Sequence, residues 1–260
     1  METQISSTLQ DSSASPPLIY PDSDGKPMAN NTEHLERIVT TKHGLESVFA
    51  ERDDVFVAGD LFWYPVEGKP RIVLAPDVMV AIGRPKGERK SYRQWMEDNI
   101  APQVVFEFLS ESNTQAEMTN KAIFFERYGV QEYYLYDIER KILSGFIRFS
   151  EQDDLLEEIP DMAGWRSPRL GIGFDMSDGE LVLRKPDGTA FLSYAELEEV
   201  LREKDAALAQ TREQLGQTRE QLGQTREELF QTAQMLNESE HRASALAAKL
   251  RELGVNPDML

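Results

Sequence analysis

The sequence predicts an α/β domain followed by one long helix with coiled-coil character, and three observations predict it. Runs dense in β-branched and aromatic residues (VFVAGDLFWYPV, RIVLAPDVMVAIG, QVVFEFLS, QEYYLYD) alternate with stretches of helical period. Turn chemistry such as EGKP and KPDGT separates them. From about Tyr194 a seven-residue repeat takes over, QTREQLG, QTREQLG, QTREELF.

In chain order, residues 1–31 are rich in Ser, Thr, Pro, Asn and Asp and read as an irregular segment of turns and extended chain. The domain is expected over residues 32–193 and the coiled-coil helix over 194–260. The spacing of Leu35, Ile38, Val39, Lys42, Leu45, Val48 and Phe49 makes an opening helical stripe, with Asn31 or Thr32 as N-cap. VFVAGDLFWYPV and RIVLAPDVMVAIG should pair as strands, in a hairpin through EGKP. The polar segment 84–102 carries Arg84, Lys86, Arg89, Lys90 and Arg93, the one basic concentration of the domain. After QVVFEFLS, Thr114 to Tyr128 has helical period and ends at Gly129, a residue that enters the left-handed C′ conformation without steric cost. Ser110 and Asn113 stand where caps of that helix belong, and Asp137 where the strand QEYYLYD turns. KILSGFIRF, residues 165–170 and ELVLRKPDG read as further strands or turns that extend the sheet.

In the C-terminal helix Leu201, Leu208, Leu215, Leu222, Leu229 and Leu236 recur every seventh residue, as a coiled-coil seam requires. The residues three and four beyond each leucine are mainly Thr and Arg. Gly216 and Gly223 each cost the helix about 1 kcal/mol. The seam is weak, and the pattern predicts a homodimer in preference to a solvated helix with a thin apolar stripe. No dense Lys/Arg block precedes the leucines, so basic-zipper DNA binding is excluded.

With 40% hydrophobic and 28% charged residues among 260, the chain can bury one full-sized core. It has no long apolar run, and METQISSTLQ lacks the basic start and apolar centre of a signal peptide, so a cytoplasmic protein away from membranes is expected. Without cysteine there are no disulfides or thiolate sites, and His34, His43 and His241 have no zinc spacing. Any metal would be a hard ion held by oxygen. The net charge of −18 argues against a broad basic surface for nucleic acid, because phosphate neutralisation dominates that affinity. Residues from Glu196 onward hold 13 acidic and 8 basic side chains, so most of the acidity lies in the domain.

Two acids stand in unexpected company. Glu107 lies inside Val104-Val105-Phe106-Glu107-Phe108-Leu109, and Asp77 inside Leu74-Ala75-Pro76-Asp77-Val78-Met79-Val80. A carboxylate forced into an apolar strand costs several kcal/mol, on the order of 3–5, unless a cation or hydrogen bonds compensate. Taken alone, either acid is more often structural, satisfied by a backbone N–H, an ion pair or water. Lys121 shifts the balance, since on its helix it shares a face with Met118, Phe125 and Tyr128, the packing side. Its alternative is an aliphatic stem that packs while the ammonium reaches solvent.

The succession Ala75-Pro76-Asp77-Val78, Val104 to Ser110, Lys121, Tyr128-Gly129-Val130 and Glu132 to Asp137 resembles the Uma-two family of restriction endonucleases, over roughly Thr32 to Asp187. The resemblance implies a restriction-endonuclease-like fold of the PD-(D/E)XK type, a mixed β-sheet core flanked by helices. It also implies that Mg²⁺ (or Mn²⁺) activates water for hydrolysis of DNA phosphodiester bonds. On it, Asp77 and Glu107 are the two metal-ligating acids of the motif. Leu109 stands where the motif lysine is expected, and Lys121 supplies the ammonium from the following helix to orient the attacking hydroxide and offset charge. Glu33 or Glu36 on the opening helix, and Asp60, are candidate auxiliary acids. Two functions are open: a DNA endonuclease whose basic segment 84–93 touches the backbone, or a catalytically weak or inactive interaction module that acts through its coiled coil.

Overall fold

Asn31 opens the first helix, its Oδ1 accepting the His34 N–H at 2.8 Å and so satisfying one of the donors that a helix start leaves free. The computed structural model describes residues 18–23, 25, 29, 31–110, 113–150 and 154–254. Helix α1 (Thr32–Val48) is followed by β1 (Val55–Gly59), β2 (Trp63–Tyr64), β3 (Val78–Ile82), β4 (Tyr92–Arg93) and β5 (Val104–Leu109). Then come α2 (Gln115–Tyr128), β6 (Glu132–Asp137), β7 (Ile142–Ile147), β8 (Glu157–Glu158), β9 (Gly173–Asp175), β10 (Val182–Arg184) and α3 (Tyr194–Glu252). The described residues divide into two compact units after Tyr194.

The first unit is built on a six-stranded mixed sheet of order β1-β3-β5-β6-β7-β8. All neighbours run antiparallel except β5 and β6, which are parallel and joined by α2. The central strands β3 and β5 are almost wholly buried, which is why they read as unbroken apolar runs rather than alternating ones. Ile38 and Leu45 of α1 cluster with Val57, Val80, Phe106 and Phe108, joined by Phe174, Leu183 and Phe191 from the C-terminal part of the unit. Phe125 of α2 clusters with Phe56, Met79, Val105 and Tyr133, capped by Trp63 and Tyr92. The mixed sheet flanked by helices is thus present as the sequence predicts, with a long C-terminal helix.

Several local expectations need correction. The buried face of α1 is His34, Ile38, Thr41 and Leu45, whereas Leu35 and Val39 of the expected stripe are exposed. β1 and β3 do pair antiparallel, but EGKP is no hairpin turn. Residues 60–77 make a long excursion in which β2 pairs in parallel with β4 as a separate ribbon. β7 extends the main sheet, yet β9 and β10 form their own two-stranded ribbon. Residues 165–170 stay out of the sheet because buried Glu132 holds them. Its carboxylate accepts from Ser167 Oγ at 2.5 Å, Arg169 N at 2.9 Å and the Tyr134 hydroxyl at 2.9 Å. The cap of α2 is Thr114, whose Oγ1 accepts from Glu117 N, while Asn113 closes the preceding loop by accepting from Ser110 N. Gly129 ends α2 with φ +99°, in the left-handed region.

Most of the segment 1–31 lies outside the described residues. Its described part includes Tyr20, whose ring meets Tyr64 edge-on at 5.2 Å and Trp95 at 5.1 Å and whose hydroxyl accepts from Gly68 N at 2.7 Å. In the second unit, α3 buries none of its residues, and the six heptad leucines stand 48% to 68% exposed. Among the described residues no helix is long and apolar enough to cross a membrane.

Candidate active site

Strand register brings the two acids together. β3 and β5 pair antiparallel as far as Val78 opposite Phe106, and Asp77, in the bend just before β3, reaches the backbone N–H of Phe108 next to Glu107. Like charges at close range repel, and both residues are buried, 8% and 2% exposed. Asp77 is held by its Oδ2, which accepts the Phe108 N–H at 2.7 Å and a contact from His34 Nε2 at 3.0 Å.

Lys121 arrives from α2, its Nζ donating to Glu107 Oε2 at 2.6 Å. The other oxygen, Glu107 Oε1, is buried and has no hydrogen-bond partner among the described residues. Burial and the negative charge of Asp77 push the Glu107 carboxyl up to about 8, against the pull of Lys121 and a weaker pull from the Asp77 backbone N–H. Burial works against the ammonium of Lys121 as well, but the charges of Glu107 and Asp77 outweigh it and hold it above its ordinary value. The three sequence-predicted residues therefore form one contiguous cluster. Lys121, whose side chain is 17% exposed, is its member that lines a depression of about 610 Å³ between residues 73–74 and the first half of α2.

The candidate auxiliary acids divide between the surface and the neighbourhood of Asp77. Glu33 and Glu36 are exposed, and Glu33 faces Arg37 and Lys141 at 3.8 and 3.7 Å on the surface. Asp60 is a turn residue with φ +47°, its N–H donating to Pro76 O at 3.1 Å and Asp77 O at 3.2 Å. The first helix contributes His34 in their place. Sequence reasoning passed over it because a lone histidine beside apolar positions carries no spacing signal. Replacing His34 with Ala should destabilise the protein by roughly 1–3 kcal/mol, since buried Asp77 loses a donor. Denaturant unfolding would read this, and an unchanged midpoint would show the contact to be idle.

The family model for Uma2, described as "Putative restriction endonuclease", matches residues 25–190. The chain belongs to the Uma2 family. No curated protein matches it. Among solved structures it is similar to a crystal structure of a putative nuclease belonging to DUF820 from Anabaena variabilis. The identity is 18%, with 56% of this chain and 77% of that chain covered and a TM-score of 0.40.

In this Uma2 chain part of the basic segment is paired within the domain. Arg84 pairs with Asp98 and with Glu97 at 3.1 Å. Arg89 pairs with Glu97 at 2.6 Å and lies over the Phe56 ring at 3.9 Å. Lys86 Nζ donates to the carbonyls of Phe49 and Ala50 at 2.9 Å, and Arg93 sits over Tyr20.

Among the described residues no group of three or more His, Asp or Glu side chains is gathered as a ready-made metal cage. The donor set instead suits a hard cation that keeps several waters and takes one or two carboxylates. Glu107 Oε1 offers an unused buried lone pair, and Asp77 has only Oδ2 in the bonds named above. The residues present fit such an ion.

Proposed function

We propose that this Uma2 chain is a metal-dependent endonuclease that hydrolyses DNA phosphodiester bonds at Asp77, Glu107 and Lys121. The observation that carries the reading is the unpartnered, buried Glu107 Oε1 beside a second carboxylate. The ion pair with Lys121 satisfies Oε2 alone, and a carboxylate that served only structure would not be expected to leave its other oxygen buried and unbonded. Asp77 and Glu107 would hold Mg²⁺ or Mn²⁺, which when bound supplies Lewis-acid polarisation of the scissile phosphate and lowers the pKa of a water. The chain's own contribution is orientation. Phe108 N–H and His34 fix Asp77 from behind. Lys121 fixes Glu107 and presents an ammonium where charge develops on the phosphorane-like transition state. Because Arg84 and Arg89 are already paired, DNA affinity would lean on the cation and Lys121.

Isothermal titration of Mn²⁺ together with cleavage of plasmid and single-stranded DNA tests this. Wild type should bind and cut, and Asp77→Asn should lose both while staying folded. A folded wild type that binds no cation and cuts nothing ends the proposal.

The exposed leucine seam of α3 favours a companion reading, in which the helix pairs two copies into a homodimer or recruits a partner and the domain serves as an interaction module. Replacing Leu215 and Leu222 with Glu in the full chain should convert a dimer to a monomer in analytical ultracentrifugation. A wild type that is already monomeric removes self-association.

A further inference from the structure

A second buried polar atom near the site lacks a partner among the described residues, the hydroxyl of Tyr133. Its ring is 1% exposed. In the parallel ladder Tyr133 pairs with Val105 and Leu135 with Glu107. Side chains two apart on a strand share a face, so Tyr133 and Glu107 project from the same side of the sheet as diagonal neighbours on adjacent strands. That side is covered by α2, where the Phe125 ring packs tilted against the Tyr133 ring at 5.0 Å between centroids. Lys121, which holds Glu107 Oε2, lies one turn earlier on the same helix. The charges of Glu107 and Asp77 act on the hydroxyl after burial itself, both keeping it above its ordinary range. An orphaned donor thus stands beside an orphaned acceptor. Buried hydroxyls are nearly always partnered, and each exception calls for a cause.

We propose that Tyr133 is a positioning residue for the cation. In the metal-free chain the two atoms make no hydrogen bond, and on cation binding the hydroxyl donates to the Oε1 edge of Glu107 through one buried water. The carboxylate is then held from both sides, by Lys121 at Oε2 and by Tyr133 at Oε1. A carboxylate oxygen has two lone pairs, so Oε1 can accept this bond and still ligate a cation. Outer partners of this kind orient ligands and typically account for about 10–100-fold in metal affinity. The inference rests on the site proposed above and adds a residue to it.

Tyr133→Phe keeps the ring, its packing on Phe125 and its volume, and removes only the oxygen. Two quantities are measured on the full chain, the melting temperature without metal and the Mn²⁺ dissociation constant by titration calorimetry. The expected result is a metal-free melting temperature unchanged or raised by about 1–3 °C, since an unsatisfied hydroxyl has gone, together with Mn²⁺ binding weakened about tenfold. A purely structural tyrosine gives the reverse, a lower melting temperature or failure to fold with unaltered affinity in whatever folds, and either overturns the inference. If wild type binds Mn²⁺ and Tyr133→Phe binds it equally, the Tyr133 inference falls while the site survives. If wild type binds none, the proposed site falls and this inference falls with it.

Discussion

Glu107→Gln is expected to lower cleavage by at least about a thousandfold and yet leave a protein whose stability relative to wild type grows toward alkaline pH. The first half follows from losing an anionic oxygen that the proposed cation needs. The second follows from the electrostatics of the buried acid. Burial and the neighbouring charge of Asp77 raise the Glu107 carboxyl to about 8 in the folded chain, above its ordinary value. A raised folded-state value means that folding favours the protonated form. Its contribution to stability is complete below the unfolded value and is lost as pH climbs through about 8. Glutamine resembles the protonated acid and does not titrate. The variant's stability relative to wild type should therefore grow with pH, and between pH 6 and pH 9 it should gain roughly 2 kcal/mol. Saturating Mn²⁺ should offset that gain by stabilising wild type alone, because a ligand that binds only the folded form adds to its stability. Chemical denaturation at the two pH values, with and without Mn²⁺, reads all four states. A wild type that gains stability on going from pH 6 to pH 9 would contradict the argument at its root.

What made Asp77 and Glu107 legible was contrast, a charge inside a run that should be buried on both faces. Lys121 was legible by helical phase, three residues from Met118 and four from Phe125. His34 was not, because the apolar residues of α1 define a stripe through Leu35 and Val39 that the structure leaves exposed. The helix is turned so that His34 and Thr41 face inward, and the contact from His34 to Asp77 spans 43 residues, which no local pattern encodes. Tyr133 was hidden differently, as one aromatic among three in Glu132-Tyr133-Tyr134-Leu135-Tyr136, where alternation assigns a face but not a hydroxyl's partner. The pairing of Arg84 and Arg89 was not legible, because counting charges does not pair them. Glu97 and Asp98 lie 13 and 14 residues beyond Arg84, and only a specific loop path closes those bridges. The parallel pairing of β2 with β4 involves two residues on each side, too few to leave a periodic trace.

Lys121→Met separates the two tasks assigned to the lysine, since methionine retains an unbranched apolar stem and discards the ammonium. One task is electrostatic service to Glu107. Without the cation at 2.6 Å, the carboxyl rises further, and at neutral pH a proton competes with Mn²⁺ for it. Cation binding should weaken at pH 7 and regain strength only in part at pH 9, because the carboxyl now ionises above about 8. The other task is at the reacting phosphate, and it does not return with pH. Cleavage at saturating Mn²⁺ should stay down by about 10²–10³-fold at pH 9 as well. Stability should fall by only about 1 kcal/mol at pH 7, because Glu107 takes up a proton rather than remaining buried and charged. Breaking a buried ion pair whose survivor cannot neutralise itself would cost about 3–5 kcal/mol. Lys121→Arg is not expected to rescue, since a planar fork cannot occupy the place of a compact ammonium held between α2 and a buried carboxylate. If Lys121→Met cleaves as fast as wild type at pH 9, the lysine serves only to keep Glu107 ionised, and the stabilisation of the transition state must come from the cation alone.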